Sequence, residues 1–136
     1  VARASGTLFE AAAVVRGPGP GEIDPGDAYW IEIKAIAQHR YVDGVPGPNG
    51  NYARELLTWP RADIVKLASD PAIRHGASLV VLFTEEEESG AHDLSMTMRE
   101  LIDGDLPVSM PELETFPICE HAGNAWCTLG LIPVRL

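Results

Sequence analysis

The chain has 136 residues, 46% of them hydrophobic and 22% charged. That is enough to build one domain with its own core, read here as a single α+β domain over residues 1–136, and it excludes a disordered or fibrous class. Twenty acidic side chains face ten basic ones, a formal net charge of −10. The balance speaks against direct nucleic-acid or membrane binding, and no apolar run approaches the roughly 18 residues needed to cross a bilayer.

Residues 7–16, TLFEAAAVVR, read as a mostly buried strand, because apolar side chains fall on both of its faces. The alanine-rich run imitates a signal peptide poorly, since Glu10 interrupts it, and the expected location is the cytoplasm. Residues 17–27, GPGPGEIDPGD, form a loop. A phosphate-binding role fails there, because proline offers no backbone N–H to cradle an anion. Residues 28–38 alternate strictly. Tyr29, Ile31, Ile33, Ala35 and Ala37 take the apolar face, and Trp30, Glu32, Lys34, Ile36 and Gln38 take a mixed face expected to be half-exposed. A Trp on a polar face marks an interaction surface unless a helix lies over it, so Trp30 is a candidate partner-binding residue. This strand is expected to pair antiparallel with residues 7–16.

Residues 43–51, DGVPGPNGN, are dense in turn formers and read as irregular. A helix is expected over 60–69, with Pro60 in its first turn and Ile64, Leu67 and Ala68 facing inward. Asp70 then caps a short turn that Gly76 ends. The apolar run 77–84, ASLVVLFT, is the strongest strand signal and a central one. A second helix is expected over 90–103, with Leu94, Met98, Leu101 and Ile102 inward. The Ser109–Glu112 spacing suggests one helical turn near 110–115, and the C-terminal residues from Ala125 read as a last strand. The order β-β-α-β-α-β implies a single mixed, mostly antiparallel sheet with two main helices packed largely on one face.

Chemistry-bearing residues gather in PICEHAGNAWC, residues 117–127. Cys119, His121 and Cys127 offer three soft ligands within nine residues, but a structural zinc site wants four ligands in two close pairs. A redox pair wants C-x-x-C with a stabilised thiolate, and Glu120 works against that. A hairpin turning through His-Ala-Gly-Asn asks for less, and it sets Cys119 facing Cys127. No cofactor is expected; zinc on Cys119, His121 and Cys127 is the one candidate.

The acid block is the other informative feature. Residues 85–120 carry eleven acids and Arg99 as their one base, which accounts for the entire charge excess. Glu85, Glu86, Glu87 and Glu88 precede the second helix, where negative charge favours the helix N-terminus. Glu100 and Asp103 lie on its polar side. The carboxylate run lacks the alternation around a glycine that a calcium loop uses. No serine elbow, H-E-x-x-H or other family-defining motif occurs. The expectation is therefore a non-catalytic acidic protein-binding or assembly subunit, of the kind that docks as an inhibitor or immunity protein or builds into a larger complex. Its partner would be a basic protein or a second copy, met through Trp30, the Glu85–Glu88 run, Glu100 and Asp103. The alternative is a small zinc- or thiol-dependent enzyme working through Cys119, His121 and Cys127.

Overall fold

The computed structural model describes residues 21–135, and the strand expected at 7–16 lies outside them. A 3-10 turn at Pro25–Asp27 leads into β1 (Tyr29–Ala37), followed by β2 (His39–Val42), β3 (Val45–Pro48) and α1 (Tyr52–Ser69). Then come β4 (His75–Thr84), α2 (Glu87–Asp103), β5 (Glu112–His121) and β6 (Asn124–Val134). Strands β1, β4, β6 and β5 form one mixed sheet in that order, with β1 parallel to β4 and the other pairs antiparallel. Strands β2 and β3 form a separate antiparallel hairpin. The class is α+β, and no helix among the described residues is long and apolar enough to cross a membrane.

Several elements differ from the sequence reading: β2 was not expected, Gly76 lies inside β4 instead of ending a turn, and α2 starts at Glu87 instead of residue 90. Residues 43–51 hold β3 instead of being irregular throughout: Asp43 and Gly44 both take positive φ (53° and 78°), as a two-residue hairpin turn requires. The first helix starts eight residues before Pro60, which is thus buried inside α1 and not in its first turn. Asn49 organises this start, its Oδ1 accepting from Asn51 N and its backbone carbonyl from Tyr52 N. Where a helical turn was expected near 110–115, β5 begins, and Val108 bridges to Val134.

Both helices pack on one face of the sheet. Ile64 and Leu67 of α1 and Leu94, Met98 and Leu101 of α2 meet Ile36, Val80, Leu82 and Ile132 in a single buried cluster. Complete burial of one such aliphatic side chain is worth about 1.5–3 kcal/mol. Ile102, expected inward, is exposed, because the stripe through Leu94, Met98 and Leu101 turns it away from the sheet. Gly90 lets α2 approach β6: a Cβ there would overlap Thr128 Oγ1 and lie 2.7 Å from Thr128 Cβ.

The covered face of β1 is the unexpected one. Trp30, Glu32 and Ile36 are buried beneath α1, with Trp30 Nε1 donating to Pro25 O at 3.0 Å. Trp30 is therefore part of the core and not of an open surface. The inversion is made possible by α1: Lys66 Nζ lies 3.1 Å from Glu32 Oε1, and Asp63 Oδ1 accepts Lys34 Nζ at 3.4 Å. The two carboxylates are almost fully buried while both lysines reach the rim. Burial pushes the Asp63 carboxyl up; Lys34 opposes the shift and Glu32 adds to it. Tyr29 and Ile33, expected inside, stay on the other side of the sheet and are exposed.

Candidate functional site

The amphipathic faces of α1 and α2 bury their apolar stripes on the sheet and leave a groove of about 510 Å³ between them. Asp93, Met96, Thr97 and Glu100 recur at i, i+3, i+4 and i+7, so they form one wall along α2. Tyr52, Ala53, Leu56 and Leu57 form the facing wall, one helical turn of α1. Leu56 is buried at the base, whereas Leu57 and Met96 stay 51% and 45% exposed at the lip. Two large apolar side chains thus face water beside two carboxylates. Among the described residues no lysine or arginine lines the groove.

Hydrogen bonds fix its acidic wall. Tyr52 Oη donates to Asp93 Oδ2 at 2.6 Å, and Asp93 Oδ1 meets His92 Nδ1 at 3.1 Å. Burial, and then the neighbouring Asp93 carboxylate, push the Tyr52 phenol far above its ordinary range, so it remains a donor. The Asp93 carboxylate is held between a phenol and an imidazole. Gln38 closes one end of the groove, its Oε1 accepting from Glu85 N at 2.9 Å.

The structure brings some of the sequence-predicted residues to this groove and disperses others. Glu100 lines it. Glu85, Glu86, Glu87 and Glu88 are all exposed at the junction of β4 and α2. Glu85 also holds His39, with Oε2 to Nε2 at 3.2 Å. Asp103 lies beside Arg99 and Ile102, in a different pocket of α2. Trp30 belongs to the core. Tyr52, flanking the Pro/Gly loop, is an aromatic that the sequence offers as an interaction residue, and it lines the groove. Leu57 and Met96 were missed by sequence reasoning; the i, i+3, i+4 spacing from Asp93 was the available signal, but nothing in it names the helix that forms the other wall.

The 117–127 segment is a hairpin, turning through Ala122 and Gly123 with φ of 55° and 100°. The cysteines do not face each other across it. Cys127 pairs with Phe116, and a β-bulge between Pro117 and His121 shifts Cys119 out of register. Cys119 is exposed and Cys127 buried, both as free thiols. Burial pushes the Cys127 thiol up, away from the thiolate that a nucleophile or metal ligand requires. Among the described residues no three His, Cys, Asp or Glu side chains converge as metal ligands. His121 instead stacks edge-on against Tyr41, with centroids 5.3 Å apart. It lines a 420 Å³ cavity with His39, Phe83 and Asn124 at the carboxyl ends of β1 and β4. Asn124 builds that corner, accepting from His39 N at 3.1 Å and donating to His39 O at 2.9 Å.

No family model and no curated protein matches this chain in sequence. Function is therefore argued from the groove and the charge around it.

Proposed function

We propose that this protein is a non-catalytic binding subunit whose acidic groove takes a basic, apolar-anchored segment of a partner protein. One observation carries the reading: exposed Leu57 and Met96 share a groove with Asp93 and Glu100, and among the described residues no lysine or arginine lines it. A lysine or arginine stem lies along such an apolar lip while its charged head reaches the carboxylates. Asp93 is pre-positioned by Tyr52, so little side-chain entropy is lost when it pairs. The Glu85–Glu88 run at the groove's end adds a long-range field that speeds encounter with a basic surface. An inhibitor that masks a basic partner belongs to this class. Two free cysteines fit a reducing compartment and support the cytoplasm as its location.

A synthetic amphipathic peptide of alternating leucine and lysine turns tests this directly. Amide shift changes on its addition should map to Tyr52, Leu57, Asp93, Met96 and Glu100. Glu100→Gln and Met96→Ser should each weaken binding by roughly 3–10-fold, as expected for loss of one charge pair or one apolar contact. Affinity should also fall as the screening length shrinks from about 10 Å at 0.1 M salt to about 3 Å at 1 M. Shifts confined to another surface, or binding unaffected by both substitutions, would sink the reading.

A further inference from the structure

The helices cover one face of the sheet, and the opposite face is the more uniformly apolar one. Its cross-strand rows follow from the register: Ile33, Leu79 and Leu131 form one, and Ala35, Val81 and Leu129 the next. The flanking rows are Ile31, Ala77 and Pro133, and Ala37, Phe83 and Cys127. None of these positions carries an Asp, Glu, Lys or Arg, in a chain whose net charge is −10. Ile33 is 44% exposed, Leu79, Val81, Leu129 and Leu131 are half-buried, and Ala77 and Cys127 in the flanking rows are buried. The first carboxylates on this face are Glu112 and Glu114 of the edge strand β5, opposite Leu131 and Leu129 of β6.

We infer that this face is the interface of a symmetric homodimer, two copies packed sheet to sheet. A basic partner would find no carboxylate across β1, β4 and β6, so the face calls for a neutral apolar surface. A second copy supplies one while keeping the acidic helical side of each chain in water. The size is adequate: four strands about 4.8 Å apart and about 30 Å long give a footprint on the order of 600 Å². Side chains standing off that plane bring it close to the roughly 800 Å² per partner of a stable interface. The carboxylates fix the symmetry. A two-fold axis running along the strands sets β5 of one copy over β1 of the other, so Glu112 and Glu114 do not meet their own copies but lie over Ile33 and Ala35 at the rim of the interface, where their carboxylates reach water. The same axis lays β4 over β6, so Leu79 of one copy meets Leu131 of the other and Val81 meets Leu129. The aligned packing angle of about −30° tilts these rows slightly.

Light scattering on the full chain should give twice the 14.7 kDa mass at micromolar concentration. Raising salt should leave this dimer intact or tighten it, the opposite of peptide binding at the groove. Leu79→Glu sets an unpaired carboxylate in the interface twice and should weaken association at least about 100-fold. Peptide binding between α1 and α2 should persist in that variant, which keeps this test separate from that of the groove. Wild-type protein mixed from isotope-labelled and unlabelled chains needs no substitution: filtered NOEs should join Leu79 to Leu131 and Val81 to Leu129 between copies. A monomeric wild type overturns the inference, whether a segment of the same chain or nothing covers the face. A dimer without those NOEs, or one that survives in folded Leu79→Glu protein, overturns it as well.

Discussion

The position of α2 against the sheet sets the wall that carries Asp93, Met96 and Glu100, and Gly90 sets that position. In an exposed helix, Gly→Ala stabilises by about 1 kcal/mol through backbone entropy. Here the added Cβ would overlap Thr128 Oγ1 and lie 2.7 Å from Thr128 Cβ, so rotating the threonine cannot clear it. Thr128 is fully buried and its hydroxyl bonds Thr115 Oγ1 at 3.0 Å. Overpacking of this kind costs about 1–3 kcal/mol, and losing the hydroxyl pair adds about 1. Set against the propensity gain, Gly90→Ala should destabilise by about 2 kcal/mol. With a urea m-value near 1.5 kcal/mol/M, the unfolding midpoint should drop by roughly 1–2 M with little change in slope. In a Thr128→Ala background, which removes Oγ1 and Cγ2, the same substitution should cost at least about 1 kcal/mol less. A raised midpoint for the single Gly90→Ala change would refute the close approach of α2 to β6, and with it the groove geometry.

The remaining expectations are direct. Asp63 titrates above its unfolded value near 3.9, so its contribution to stability is fully present below about pH 3.9 and lost as pH rises through the folded pKa. Asp63→Asn should flatten urea midpoints over that rise; an unchanged slope would mean Asp63 is not desolvated. Cys119 should react with a thiol reagent at once and Cys127 only on unfolding, with no intramolecular disulfide under mild oxidation. Two equally fast thiols would contradict the register of β5 on β6. Tyr52→Phe removes the bond to Asp93 and should cost about 1–2 kcal/mol. An alkaline titration should then lose the last of the three tyrosines to ionise. If wild type and variant give the same final phase, Tyr52 does not hold Asp93.

Local sequence determined a good deal of this protein. The period-2 pattern of residues 28–38, the apolar run from Ala77 and the 3.6-period stripe of Leu94, Met98 and Leu101 each specify an element, because side-chain direction repeats with backbone geometry. The acidic block and the turn at Ala122–Gly123 were equally local, since charge and positive φ belong to individual residues. What alternation does not contain is a sign. It separates Trp30, Glu32 and Ile36 from Tyr29, Ile31 and Ile33 without saying which set faces the core. That choice was made by Lys66 and Asp63, some thirty residues away on α1, whose charges make burial of Glu32 and contact with Lys34 tolerable. The early start of α1 had the same character: packing on the sheet holds helical a segment that Pro60 alone would have divided. The groove was beyond local reading altogether. Asp93 and Glu100 are visible on one helix, but their partners Tyr52 and Leu57 come from another, and only the docking of both helices on one face of the sheet sets the two walls opposite each other.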